Sequence, residues 1–383
     1  MKTKAANNPV RESGHIDWSS VRRVLLIRLR SIGDTVLMTP CLAALKAFRP
    51  DIEIAVLMEP LSAPVLEDHP LVDKLFVSEK YLASRMRFIA KPRRERFDVA
   101  FNMHGGATAT IIARLAGARH SVGYRGHRHS WMLSHRAPSP DVILGRARIH
   151  SVEQQLALLH WTGVPWPASR PQLSLTISDE AQASVRKRLM MIKAPQSGFA
   201  AIAPAAAMES KRWTTGGFAA VADHLSERWN LPGIIIAGPG QESVAQKVSE
   251  AARSHPHVIG GLSLKELMAL IEMAQLFVGN DSGPMHIAAA LRRPVVVVFG
   301  SSNATVWHPW TDAPYRVVRR HEDAQTQIRG DAARVDNLID GESSLAIRQV
   351  PESDVTSAVD EVLESALGAG FKADASFQPQ IAK

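Results

Sequence analysis

The sequence predicts an α/β protein built from two doubly wound parallel sheets facing one another across a central cleft. Three observations carry this expectation. Short, continuous apolar strands alternate with helical stretches in both halves of the chain, as parallel sheets covered on both faces require. A stretch marked by Gly and Pro, Gly163-Val-Pro-Trp-Pro167 followed by Arg170-Pro171, separates the two blocks. With 383 residues, 45% of them hydrophobic, the chain has material for two cores.

In chain order, residues 1–20 read as an N-terminal extension without a legible role. Val21 to Leu29 is a β-branched apolar run, and Ser31-Ile-Gly-Asp34 breaks it. Pro40 to Phe48 has helical spacing, with Leu42, Leu45 and Phe48 near one face, and Ile52 to Met58 is the next strand. The first unit is therefore βαβ, with its loop at the carboxyl end of the first strand. Phe97 to Phe101, a Gly105-Gly106 loop and a helix over Ala107 to Leu115 repeat it, and Ser151 to Trp161 is a further helix. The first domain is set at 21–165 and the second at 166–367. In the second domain, strands are expected at Gly198–Ala203, Gly233–Ala237, Leu276–Gly279 and Pro294–Phe299. Helices are expected near Gly217–Trp229, Glu242–Ala252, Leu264–Met273 and Pro284–Leu291. Residues 320–345 are polar and weakly patterned. Pro351 to Leu367 reads as a terminal helix, one that packs back on the first domain, before a tail at 368–383.

Ligands of open α/β sheets bind beyond the carboxyl ends of the strands, which directs attention to four loops. Arg28-Leu-Arg-Ser-Ile-Gly-Asp-Thr35 follows the first strand. Asp34 is either a helix cap or a cleft-facing general base, and the local sequence favours the cap. Val278-Gly-Asn-Asp-Ser-Gly-Pro-Met-His286 runs from a strand into a helix with Pro284 near its start. The backbone N–H groups of Ser282 and Gly283 suit a phosphate, while Asp281 suits sugar hydroxyls. His286 is by itself an ordinary helix histidine, but the whole string is more than a turn. In Glu209-Ser-Lys-Arg-Trp213, Lys211 or Arg212 suits a diphosphate leaving group and Trp213 suits the core. In Ala237-Gly-Pro-Gly-Gln-Glu242, Glu242 is either a ribose ligand or a plain helix start. Phe101-Asn-Met-His-Gly105 places His104, with Arg30, as acceptor contacts. His15, His120, His127, His129 and His135 have no metal-ligand spacing, and no metal site is expected. The phosphate-binding G-x-x-x-x-G-K loop, G-x-G-x-x-G and G-x-S-x-G are all absent.

RLRSIGDTVLMTP, FDVAFNMHGG, ESKRW, GPGQE and GNDSGPMHIAAAL before PVVVVFG, in that order from about Val21 to Pro309, together resemble glycosyltransferase family 9, the lipopolysaccharide heptosyltransferase family. The resemblance implies a GT-B fold of two Rossmann-like domains. It implies inverting transfer of a heptose from ADP-heptose to a hydroxyl of the lipopolysaccharide inner core, without a metal or other cofactor. By motif, Asp34 matches the general base, Lys211 the phosphate-binding lysine and Glu242 the ribose ligand. Asp281 matches the sugar ligand, Ser282 and Gly283 the diphosphate donors, and Leu262 the side chain packed on the nucleobase; Arg212 and His286 are grouped with them on the donor side. Ala205-Ala-Ala207 departs from the glycine or hydroxyl residues common there in the family.

The charge map agrees with such an acceptor. Residues 1–165 hold 24 Lys and Arg against 14 Asp and Glu, whereas the rest of the chain holds 21 against 23. A dense basic run lies at Arg85, Arg87, Lys91, Arg93, Arg94 and Arg96. A basic half attracts an anionic partner: nucleic acid, an acidic membrane surface or a phosphorylated substrate. Nucleic acid is disfavoured, because its binding signatures are absent and aromatics make up only 6% of the chain. One cysteine, Cys41, excludes a disulfide framework. With no apolar run long enough to span a bilayer, the expectation is a cytoplasmic protein with peripheral contact to inner-membrane lipid.

Overall fold

The computed structural model describes residues 14–78, 95–195, 198–300, 302–320 and 343–368. Most of the basic run (Arg85, Arg87, Lys91, Arg93 and Arg94), nearly all of the polar stretch 320–345 and the tail beyond 368 lie outside the described residues.

The first sheet comprises β1 (Arg23–Ile27), β2 (Glu53–Met58), β3 (Lys74–Val77), β4 (Val99–Asn102), β5 (His120–Tyr124) and β6 (His135–Ala137). All its pairs are parallel, in the order β3-β2-β1-β4-β5-β6. Helices α1 (Ile32–Val36), α2 (Thr39–Phe48), α3 (Ala107–Leu115), α4 (Pro140–Leu144) and α5 (Ser151–Trp161) accompany it. After α6 (Asp179–Met191), the second sheet uses β7 (Ala200–Ala203), β8 (Gly233–Ile236), β9 (His257–Ile259), β10 (Leu276–Asn280), β11 (Val295–Val298) and β12 (Tyr315–Val318). Its order, β12-β11-β10-β7-β8-β9, is the same winding and is also parallel throughout. Helices α7 (Thr215–Trp229), α8 (Glu242–Ala251), α9 (Leu264–Met273), α10 (Gly283–Ala290), α11 (Ala304–Trp307), α12 (Ser343–Arg348) and α13 (Glu352–Gly368) complete this half. These are two Rossmann-like domains.

The apolar runs become central strands because both faces are covered: Val24 to Ile27 and Val295 to Val298 are all fully buried. Each sheet reverses its winding at one place, between β1 and β4 in the first and between β7 and β10 in the second. Loops at those reversals have no covering crossover, so they are open to a ligand. Sequence patterning missed β3, β5, β6, β9 and β12. β6 (HRA) and β9 (HVI) have three residues each, and these outer strands carry polar residues that mask the period. It also missed α6, which buries only Ala181 and Val185 and so lacks an apolar stripe.

The structure gives residues 14–20, which had no legible role in the sequence, a place in the core. Ile16 and Trp18 are buried, Trp18 Nε1 donates to Thr162 O at 2.8 Å, and its ring stacks on Phe101. The terminal helix α13 does not pack back on the first domain. Val355, Val359, Val362 and Leu363 are buried in the core of the second sheet, among Ile202, Val296 and Val298. Burial is worth roughly 1.5–3 kcal/mol for each such side chain. Asp360 fastens the helix further, accepting from Trp229 Nε1 and pairing with His224 Nε2, both at 2.7 Å.

Among the described residues, the contacts between the two domains include three along the cleft. Lys265 at the start of α9 pairs with Glu67 and Asp68 of the first domain at 3.1 and 2.9 Å. His150, at the N-terminus of α5, shares a hydrogen bond with His308 O at 2.9 Å and stacks on Trp310. Between these contacts, α1 meets α10.

Candidate active site at the facing switch points

The contact between α1 and α10 brings the two winding reversals together. Gly33 lies against His286: a Cβ at Gly33 would stand 2.5 Å from His286 Cδ2. A Cβ at Gly283 would stand 3.1 Å from Ile32 Cβ. Both glycines therefore permit the close approach of one domain to the other.

On the first domain, Asp34 occupies the third position of α1, and Ser31 is the N-cap. Its Oδ2 accepts from Ser31 Oγ at 2.9 Å and from Ser31 N at 3.4 Å, so it closes a capping box from the third position and is not itself the N-cap. Its Oδ1 pairs with the Arg28 guanidinium, which also donates to Met103 O. Arg28 is buried, and its Nε has no partner among the described residues. Burial pushes the Asp34 pKa up, but Arg28, the two Ser31 donors and nearby His286 outweigh it and hold the carboxyl below its ordinary range. The site thus carries an ionised carboxylate with a built-in counter-cation. His104 Nδ1 lies 3.1 Å from Arg30 O, and the Arg30 side chain is exposed. His127 joins this loop cluster: a Cβ at Gly105 would meet its ring at 3.2 Å. Burial and the Arg28 charge lower both histidines, His127 to about 4, so these rings are neutral at physiological pH.

On the second domain, Lys211 Nζ pairs with Asp281 Oδ2 at 2.7 Å, and Asp281 is buried. Asn280 anchors this corner. Its Oδ1 accepts from Trp213 N at 2.9 Å and its Nδ2 donates to Pro204 O at 2.8 Å, joining the ends of β7 and β10. Trp213 is core, as its residue type suggested, and donates through Nε1 to Val350 O. Arg212 donates from Nε to Ala206 O at 2.9 Å, bracing the Ala205–Ala207 loop. Ser282 is the N-cap of α10, with Oγ 3.2 Å from Asn280 O, and Met285 N bonds back to Ser282 O. His286 is buried with Nδ1 unpartnered among the described residues; burial lowers its pKa against the opposing pull of Asp281 and Asp34.

Glu242 and Leu262 stand apart from this polar cluster, beyond the ends of the neighbouring strands β8 and β9. Glu242 is exposed and, among the described residues, accepts from Gly240 N at 3.3 Å. Leu262 is half-buried against the core. Their loops adjoin, since a Cβ at Gly260 would come within 4.0 Å of Glu242 Cγ. Sequence reasoning did not single out Arg28, Ser31, His127 or Asn280. Arg28 had a signal, a lone cation ending an apolar strand inside a loop already under suspicion, whereas His127 reaches the site only through the fold. Among the described residues, no group of three or more His, Cys, Asp or Glu is placed to hold a metal ion. An open pocket of about 740 Å³ lies elsewhere, lined by Arg148, His308, Tyr315 and Arg316 among others.

The model of glycosyltransferase family 9 (heptosyltransferase) matches residues 85–334. Lipopolysaccharide heptosyltransferase 3 of Escherichia coli is 27% identical over 350 residues, covering 88% of this chain and 98% of that protein. The solved glycosyl transferase family 9 protein of Veillonella parvula superimposes with a TM-score of 0.77 at 21% identity, covering 92% of this chain and 100% of its own. The E. coli ADP-heptose lps heptosyltransferase II superimposes at 0.71 and 21%, covering 90% and 99%. The fold is GT-B. With well over half of its length inside one family model, the chain belongs to glycosyltransferase family 9 and is a glycosyltransferase of the heptosyltransferase type.

Proposed function

We propose that this chain transfers a heptose from ADP-heptose to a hydroxyl of the lipopolysaccharide inner core, with inversion and with Asp34 as general base. The observation that carries the reading is the contact of the two switch points, which sets an Arg28-paired carboxylate opposite a Lys211–Asp281 pair beside a helix N-terminus. The names of relatives, which include lipopolysaccharide and ADP-heptose, support the substrate class.

In this mechanism the donor lies along the carboxyl edge of the second sheet. The diphosphate takes the N–H groups of Ser282 and Gly283 at the start of α10 and draws Lys211 from Asp281. Asp281 is then released to accept from heptose hydroxyls, while Arg212 keeps the adjoining loop in place and His286 backs the turn. Glu242 takes the ribose hydroxyls, and Leu262 packs on the adenine. The acceptor rests on Arg30 and His104. Its hydroxyl oxygen attacks the anomeric carbon from the face opposite the diphosphate, and its proton passes to the Asp34 carboxylate. The anomeric C–O bond breaks with its electron pair leaving on ADP, whose charge Lys211 and the helix terminus stabilise without a metal. A single displacement inverts the configuration. The acceptor's acidic groups suit the basic first half, and the work is done on the cytoplasmic face of the inner membrane.

Calorimetric titration with ADP, GDP and UDP, with and without magnesium, tests the donor. Preferential, metal-independent ADP binding is expected; preference for another nucleotide discards ADP-heptose. Asp34→Ala with retained ADP binding and lost transfer is expected of a base. Turnover within about tenfold of the native rate reduces Asp34 to its capping role.

A further inference from the structure

Away from the facing switch points, a pocket of about 740 Å³ opens on the seam between the two domains. Arg148 reaches it from the first domain, on the segment between α4 and α5, while His308, Tyr315 and Arg316 line it from the second. The domains are joined beside it, where His150, two residues beyond Arg148, shares its hydrogen bond with His308 O. The volume lies in the range of about 300–1,000 Å³ that small-molecule sites occupy.

The lining groups differ in what they can recognise. Arg148 is exposed, and among the described residues its guanidinium has neither an ion pair nor a hydrogen bond. Arg316 is already matched in part: Nε donates to Glu361 Oε2 at 2.7 Å and Nη1 to Tyr315 O at 3.0 Å. His308 Nδ1 lies 3.0 Å from Pro309 O, which can only accept, so Nδ1 carries the proton and Nε2 is a bare acceptor on a ring that burial keeps neutral. Thr305 Oγ1 and the Tyr315 hydroxyl have no partner among the described residues. The Tyr315 ring lies parallel to that of His308, and Pro314 and Val317 extend this wall with apolar surface. No Asp or Glu is among the lining residues.

We propose that this seam pocket binds a small anionic sugar, a monosaccharide bearing a phosphate or a carboxylate. The anionic group pairs with Arg148, whose planar fork suits either oxyanion. Ring hydroxyls supply the proton that His308 Nε2 lacks and the partners that Thr305 and Tyr315 lack. The C–H face of the ring covers the apolar and aromatic wall. A bare inorganic anion would leave that wall wet, and a neutral sugar would leave Arg148 unpaired. The bound sugar would touch both domains beside the His150–His308 contact. The proposal does not depend on the transferase reading, since none of these residues belongs to the site assigned to donor or acceptor.

The test is calorimetric titration of the full chain with glucose 6-phosphate, glucuronate, glucose and inorganic phosphate. One or both of the anionic sugars should bind at least about tenfold more tightly than glucose and than inorganic phosphate, and comparison of the two tells phosphate from carboxylate. Arg148→Gln should weaken that binding by about tenfold or more. Lys211→Ala should leave it unchanged, and ADP affinity should be the same in Arg148→Gln as in the native protein, which shows that the variant is folded. Four results overturn the proposal: neither anionic sugar binds; glucose binds as well; inorganic phosphate binds as well; or binding is weakened by Lys211→Ala and not by Arg148→Gln, which puts the anion in the donor site. Failure of the native protein to bind ADP would instead remove the transferase reading and leave the sugar titration standing, with thermal unfolding then reporting the fold of the variant.

Discussion

Replacing Arg28 by Gln would separate the charge on Asp34 from its cap geometry. The Arg28 and Asp34 side chains are 9% and 22% exposed, so their contact is shielded from water without being sealed. Two unit charges about 4 Å apart attract by about 4 kcal/mol at an effective dielectric constant near 20. Breaking a buried pair from one side typically costs about 3–5 kcal/mol. Residual exposure and the donor retained by Gln place the expected loss at or just below the lower bound of that range, about 2–3 kcal/mol at neutral pH. The pH dependence has a definite sign. A carboxyl held below its ordinary range contributes stability above that range and loses it as pH falls through the native pKa. The gap between Arg28→Gln and the native protein should therefore be full at neutral pH and close in acid. With Arg28 gone, burial dominates, and the acid limb of the transfer rate should move toward neutral; Arg28→Lys should restore part of both effects. Urea unfolding at neutral and acid pH, with initial rates across the same range, measures these. A stability gap that does not change with pH, or an unaltered rate profile, refutes the claim that Arg28 sets the charge on Asp34.

Lys211→Ala removes the cation paired to Asp281 at 2.7 Å. One charge-assisted contact is worth about 1.5–3 kcal/mol, so ADP affinity should fall at least about tenfold by calorimetry; unchanged affinity would move the diphosphate contact to Arg212. Gly33→Ala places a Cβ 2.5 Å from His286 Cδ2, which must shift or part the domains. Transfer should drop while ADP binding persists, and small-angle scattering should report a wider cleft; a fully active variant would show that the α1–α10 contact is not needed. Burial beneath Trp310 and His308 lowers His150 to about 3, so stability should decline as pH falls from the unfolded-state histidine range toward that value. The slope is at most about 1.4 kcal/mol per pH unit, and His150→Gln should flatten it in acid unfolding curves.

Local chemistry made much of this protein legible. Continuous runs such as Val295 to Val298 can only be strands covered on both faces, and the breaks that follow them, at Ser31-Ile-Gly-Asp34 and Asp281-Ser-Gly-Pro284, mark the carboxyl edge where α/β sheets bind ligands. Both the twin-sheet architecture and the loops worth inspecting follow from that short-range pattern. Asp34, Asp281 and His286 stand in or beside those breaks and Lys211 in the loop after β7, but their roles come from the resemblance to the family and not from the local pattern.

Partnership was decided elsewhere. That Gly33 and Gly283 are small for the sake of the opposite domain, and that His127 joins the loop cluster of His104, depend on separations no short sequence window spans, and that Asp34 meets Arg28 depends on how the intervening loop folds. The destination of α13 is of the same kind. Its apolar stripe announces a buried helix, but whether it covers the first or the second sheet depends on which core has an uncovered face within reach. Alternation and turn chemistry act over a few residues and survive in the linear text. Charge pairing, close backbone approach and the choice of packing face act through space, and they come into being only once the chain has folded.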